Sequence, residues 1–247
     1  MIVPKWVVTD LDETLLYDDR SISERALKTI SAVREMGCKF AIATTRSKSY
    51  ASEFIEILKP DAMVLSGGAL AMKGDSVQYL KPIDREMLDH VMQDLLVNPL
   101  IQSWTMDTAG GRITHDTFSF QSVPKDVFSL FLWTAADHAK ELGERWQGIG
   151  TVTALWQPDL YRLSHVHATK LSALQHILED VDPGQVICFG DDLMDVGMLA
   201  YFTGVAVENA KSAAKDAASY ITKSNEKDGV AIWLEENVIA QSGNRLV

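Results

Sequence analysis

The segment Asp10-Leu11-Asp12-Glu13-Thr14 sets two carboxylates at alternate positions, directly after the apolar run Trp6-Val7-Val8-Thr9. In extended backbone, alternate side chains point the same way, so Asp10 and Asp12 can address one point in space. Such a pair can divide two tasks. One carboxylate attacks phosphorus, and the other carries a proton to or from the departing oxygen. A merely solvated acidic loop has the same composition. Position favours chemistry, because ligands of open α/β sheets gather beyond the carboxyl ends of the strands.

Three later stretches could serve the same reaction. Ala43-Thr44-Thr45-Arg46-Ser47 offers a hydroxyl and backbone N–H groups that can hold phosphate oxygens, although a polar helix cap would read the same way. Lys170 stands just before a helical stretch and can neutralise phosphate or carboxylate as a point cation; alone it would be a surface lysine. Phe189-Gly190-Asp191-Asp192-Leu193-Met194-Asp195 follows another apolar run. Its carboxylates suit a hard cation such as magnesium, or else decorate a helix N-terminus.

The elements that must hold these groups follow from periodicity. Trp6–Asp10, Phe40–Ala43, Met63–Leu65, Val186–Phe189 and Gly204–Val207 read as short buried strands. Between them, Ser23 opens a helix with Ala26, Leu27, Ile30 and Val33 at helical spacing and Gly37 at its end. Further helical stretches run from about Tyr50 to Leu58 and through Leu171, Leu174, Ile177 and Leu178. Strand–helix alternation predicts parallel pairing with right-handed crossovers. The pattern breaks between Pro82 and His165, where Trp104, Trp133, Trp146 and Trp156 fall. There, helical stretches near Arg85–Leu96 and Lys125–Leu142 alternate with strand-like pieces, and Gly110-Gly111 marks a turn. We expect an α/β protein: a mostly parallel sheet core, discontinuous over 1–81 and 166–247, with an inserted α+β domain over 82–165.

In this order, the four stations resemble those of the haloacid dehalogenase superfamily of phosphohydrolases, and more narrowly its Cof-type branch of sugar-phosphate and related phosphatases. That family opens with D-x-D-x-T. It reads Ala-Thr-Gly-Arg where this chain has Ala43-Thr44-Thr45-Arg46, and Lys-Gly where it has Lys170-Leu171. It reads G-D-x-x-N-D over Gly190–Asp195, and Ser-Asn-Gly-Ala over Ser66–Ala69. Thr45, Leu171, Met194 and Gly67 are departures. The stretch Gly204–Ala210 is similar to the family's strand and Asn-Ala turn, and Thr222–Ala231 to its T-x-x-N-x-x-D-G-V-A signature.

The resemblance implies a Rossmann-like core in which Asp10 is the nucleophile and Asp12 the general acid/base. It implies that Leu11, Thr44, Thr45, Arg46 and Lys170 meet the substrate or its phosphate. Magnesium (Mg2+) would be held by Asp10, Asp191, Asp195 and Asp12, the last through its backbone carbonyl. The inserted domain would be a cap that selects the leaving group, with Arg112 and His115 as candidate contacts. The substrate would be a small phosphorylated metabolite, hydrolysed through an aspartyl-phosphate. Two other readings stand beside this: a phosphomutase, which isomerised product would reveal, and a catalytically weak sugar-phosphate-binding regulatory module.

Composition sets outer limits. A formal net charge of -11 disfavours nucleic acid and anionic lipid as partners. With 47% hydrophobic residues the chain can build a packed core. No apolar run approaches the ~20 residues a membrane span needs. The first residues lack the pattern of a signal peptide, so a cytoplasmic protein is expected. Cys38 and Cys188 fall in apolar segments and are expected as reduced core thiols. Oligomeric state is not encoded in any pattern found.

Overall fold

Strand β1 (Trp6–Thr9) is buried at every position, which is why its sequence shows no polar alternation. It lies at the middle of an eight-stranded sheet in a computed structural model that describes residues 3–118, 124–146, 150–154 and 159–243. On one side β1 pairs in parallel with β2 (Lys39–Ala43), which pairs in parallel with β3 (Ala62–Leu65). Antiparallel β4 (Leu70–Lys73) and then β5 (Ser76–Leu80) complete that side. On the other side β1 pairs in parallel with β11 (Val186–Gly190), followed by β12 (Thr203–Ala206) and β13 (Tyr220–Ile221). The order therefore reverses at β1, and the crevice beyond its carboxyl end is the natural ligand position of such a sheet.

The connecting helices form where the spacing requires. In α1 (Glu24–Glu35) the Ser23 hydroxyl accepts from Ala26 N at 2.9 Å, and Ala26, Thr29, Ile30 and Val33 are the buried stripe. Gly37, at φ +91°, turns the chain out of the helix in a conformation open to glycine. Helix α2 (Lys48–Leu58) follows β2. Cys38 and Cys188 are both buried and free.

The chain divides into two compact units, one of Met1–Gln78 with Thr169–Val247 and one of Tyr79–Ala168. The second contains a five-stranded antiparallel sheet in the order β7-β6-β8-β10-β9, namely Gly111–Thr114, Ser103–Thr108, Val127–Trp133, Leu160–Ser164 and Thr151–Ala154. Its core gathers Met87, Leu88 and Val91 of α3 (Arg85–Val97) with Trp104, Met106, Leu130, Leu132, Leu163 and Trp146. Asp107, Ser129, Arg162 and Ser164 are buried as well. The Arg162 guanidinium donates to the Ser129 and Ser164 hydroxyls, while Arg112 grips Asp107 at 2.7 and 3.2 Å. Gly110 and Gly111 make the β6–β7 turn as expected.

One element differs from expectation. Lys125–Leu142 is not a helix but strand β8 followed by helix α4 (Ala136–Arg145). Six of the seven β8 residues are buried, so the strand carries no two-residue period and reads like a buried helix. Trp156 lies outside the described residues. Among the described residues, no helix is long and apolar enough to cross a membrane.

Candidate active site

Asp10 leaves the end of β1 with its N–H donating to Phe189 O at 3.0 Å, so the neighbouring strand fixes its backbone. Its side chain is buried and pairs with Lys170, the first residue of α5 (Lys170–Ile177), at 3.0 Å from Nζ to Oδ1. The contact is an ion pair, and it is the only partner the buried Oδ1 has among the described residues. Burial raises the Asp10 carboxyl to about 7; Lys170 opposes this and Asp195 adds to it.

Asp191 and Asp195 follow β11. Gly190 makes this possible, since a Cβ there would fall 2.6 Å from the Asp195 side chain. Asp195 is fully buried and engaged at both oxygens. Oδ2 accepts from the N–H groups of Asp191 and Asp192, each at 3.0 Å, and Oδ1 accepts from Lys170 Nζ at 2.6 Å. Asp191 accepts from the Thr14 hydroxyl at 2.5 Å, and burial, then Asp10 and Asp195, push its carboxyl up to about 9. For Lys170, burial alone would lower the ammonium, but Asp10 and Asp195 outweigh it and hold it above the ordinary lysine value.

One oxygen each of Asp10, Asp191 and Asp195 lie within 4.8 Å of one another. Three buried carboxylates beside one ammonium leave excess negative charge, and their hard oxygens suit a divalent cation. The singly partnered Asp10 Oδ1 and the raised carboxyls are what such an ion would relieve, so the residues fit a metal.

The loop after β2 is built differently from a simple anion cradle. Thr44 is fully buried, with its hydroxyl accepting from Arg46 N at 3.1 Å. Thr45 is half-buried. The Leu11 side chain is in the core, so only its backbone is available to a ligand. Arg46 turns to Asp12: Nε donates to Oδ2 at 2.8 Å and Nη2 to Oδ1 at 2.6 Å. The Asp12 carboxylate is thus outside the cluster formed by Asp10, Asp191 and Asp195.

Several bracing contacts had no assigned role in the sequence. Ser66 N and Gly67 N donate to Arg46 O and Thr44 O at 2.8 and 3.0 Å, tying the β3–β4 turn to the β2 loop. Gly67 sits at φ +63°, ψ 24°, a left-handed conformation that asparagine and glycine both tolerate, so its departure from the family pattern leaves the backbone intact. Gly68, at φ +101°, lets this turn press on Thr169, where a Cβ would lie 2.1 Å from the carbonyl. Leu171 is accommodated by Gly197, whose missing Cβ would lie 3.3 Å from it. Asn209 donates to Glu13 O at 2.7 Å and accepts from Asn225 N at 3.0 Å, while Asn225 donates to Leu16 O at 3.1 Å. The Asn-Ala turn and the C-terminal signature are therefore the clasp of the acidic loop. Arg112 is occupied by Asp107, and His115 contacts Asp116 at 3.2 Å.

The model of the haloacid dehalogenase-like hydrolases matches residues 7–117 and 115–234 of the chain. The chain is 26% identical to the 5-amino-6-(5-phospho-D-ribitylamino)uracil phosphatase YitU of Bacillus subtilis, over 94% of this chain and 97% of that protein. It is 24% identical to the pyridoxal phosphate phosphatase YbhA of Escherichia coli, over 94% and 98%. A haloacid dehalogenase-like hydrolase from Bacteroides thetaiotaomicron has the same fold, with a TM-score of 0.83 at 22% identity, over 94% of this chain and 99% of that one.

Proposed function

The chain belongs to the haloacid dehalogenase-like hydrolases and is a phosphoric monoester hydrolase of their Cof-type branch; from that premise we propose that it hydrolyses a small phosphorylated metabolite, a sugar phosphate or similar, through an aspartyl-phosphate on Asp10. One observation carries the reading: Asp10 is buried at the switch point of the sheet, 3.0 Å from Lys170 and clustered with Asp191 and Asp195.

In the first step an Asp10 oxygen bonds to phosphorus as the ester P–O bond breaks, and Asp12 gives its proton to the leaving alcohol. In the second, Asp12 takes a proton from water, whose oxygen attacks phosphorus and frees Asp10 and inorganic phosphate. Lys170 faces the charge on the phosphoryl oxygens, with backbone N–H groups of the loops after β1 and β2. Asp10 and Asp191 would hold magnesium, with Asp195 directing Lys170 and the metal loop from behind. When bound, magnesium screens the repulsion between carboxylates and phosphate and polarises the phosphoryl oxygens. The inserted unit would supply leaving-group selection.

The test is a screen of phosphorylated metabolites with magnesium, coupled to acid-quench trapping of the phosphoenzyme. The parent protein should label and Asp10→Asn should not. Labelling that survives Asp10→Asn rejects the nucleophile.

A further inference from the structure

Arg46 has the composition of a phosphate ligand but the surroundings of a strut. Its guanidinium grips both oxygens of Asp12, at 2.8 and 2.6 Å, in the parallel two-bond arrangement that fixes a carboxylate in plane as well as in distance. A third bond runs from Nη1 to Tyr50 O at 3.2 Å, and the guanidinium carbon lies 4.8 Å from the centre of the Phe54 ring. Tyr50 and Phe54 both belong to α2, so the first turns of that helix hold the guanidinium on a second and third side. The Arg46 side chain is 16% exposed, whereas Asp12 is 43% exposed.

Asp12 has reason to need support. It stands on a kinked turn, with φ -65° and ψ 134°, followed by Glu13 at φ +55°. An exposed carboxylate on such a turn would sample several rotamers without a fixed partner. To reach a phosphate, Arg46 would have to give up two bonds to Asp12, the bond to Tyr50 O and its place on Phe54.

We propose that Arg46 is a positioning residue that clamps Asp12 in the orientation for proton transfer, rather than a ligand of the phosphoryl group. The inference rests on Asp12 being the general acid/base, and deepens that reading. A positioning residue and a phosphate ligand predict different kinetics. Proton transfer matters most when the leaving group is basic, whereas every ester presents the same phosphoryl group.

The experiment compares phosphoenzyme formation in single turnovers with phenyl phosphate and with the more activated p-nitrophenyl phosphate. The parent protein is set beside Arg46→Ala and Arg46→Lys. Arg46→Ala should slow the phenyl ester about 100-fold, the scale of a misplaced proton-transfer group, and the nitrophenyl ester about tenfold or less. Inhibition by inorganic phosphate should change less than about twofold. Arg46→Lys keeps the charge but loses the planar fork, so it should stay impaired on the phenyl ester. Equal losses on both esters with weaker phosphate inhibition, or recovery in Arg46→Lys, would overturn the clamp and make Arg46 a phosphate ligand. Thermal melts in parallel separate either outcome from a folding defect, and the folded Arg46→Lys variant decides the matter if Arg46→Ala melts early. Absence of phosphoenzyme in the parent protein would instead reject the aspartyl-phosphate mechanism, and the clamp with it.

Discussion

Asp10 and Asp191 are carboxyls held above the ordinary aspartate value, at about 7 and about 9, chiefly by burial. The folded chain therefore binds these protons more tightly than the unfolded chain does. The stability they confer is present at low pH and lost as pH rises through those values. In metal-free buffer the melting temperature should fall between pH 5 and pH 9, and saturating magnesium should shrink that fall by replacing the protons. A flat or rising metal-free profile would contradict the buried, cation-seeking cluster. Asp191→Asn needs no proton to be neutral, so it removes the cost of keeping this carboxyl protonated in the fold; above pH 7 it should raise the metal-free melting temperature while weakening magnesium binding at least about tenfold, measurable by calorimetry. Asp195→Asn should do the opposite to stability, because it removes the negative charge 2.6 Å from Lys170 and leaves one accepting oxygen for donors that now use two. At this scale the sequence was only partly legible. The types and order of Asp10, Lys170, Asp191 and Asp195 were readable from motifs. That Arg46 faces Asp12 depends on the kink at Asp12 and Glu13, which no spacing rule encodes.

At the scale of elements, the site is held by turns rather than by helices. Gly68 presses on the Thr169 carbonyl, one residue before Lys170. Gly68→Ala forces both a Cβ 2.1 Å from the Thr169 carbonyl and a side chain at φ +101°, and should destabilise by about 2–4 kcal/mol. Turnover should fall further than stability explains, since Lys170 is displaced; a stable variant with normal kcat would refute that coupling. Asn209→Ala cuts the ties to Glu13 and Asn225 and should cost about 1–2 kcal/mol. Five strands of the large sheet, β1, β2, β3, β11 and β12, were legible because each is a buried apolar run ending in a polar loop; β4, β5 and β13 were not read, and the largely exposed β5 and β13 carry no buried apolar run. Strand β8 was not legible either. Val127–Trp133 is equally apolar, but it is bounded by no glycine and runs within three residues of a true helix, so the two merged into one apparent helical stretch.

At the scale of the whole molecule, the unit formed by Tyr79–Ala168 carries its own ionic wiring. Arg112→Ala would leave Asp107, 1% exposed, without its two-bond partner and should lower the melting transition, by about 1–3 kcal/mol after allowing for the 35% exposure of the arginine. His115 is about half exposed, pairs with the exposed Asp116 and meets the buried Trp104 ring edge-on at 6.3 Å between centroids, a weaker tie than a two-bond ion pair. His115→Ala should therefore lower the melt less than Arg112→Ala and, if this unit selects the leaving group, redistribute rates among phosphate esters. A change in melting without any change in ester ranking for both variants would make the unit a support only.

The pairing of Trp6 with Val186 has a consequence for how the chain is made. Translation at roughly 5–20 residues per second leaves β1 waiting about ten to forty seconds for its partner β11 to leave the ribosome. During that interval β1 can pair with β2 but presents its other edge unsatisfied, as a buried strand exposed before its time. Tyr79–Ala168 is continuous and can close its own sheet within the same interval. The nascent chain thus matures from the middle outward, and the acidic loop made first stays without Lys170 until the chain returns.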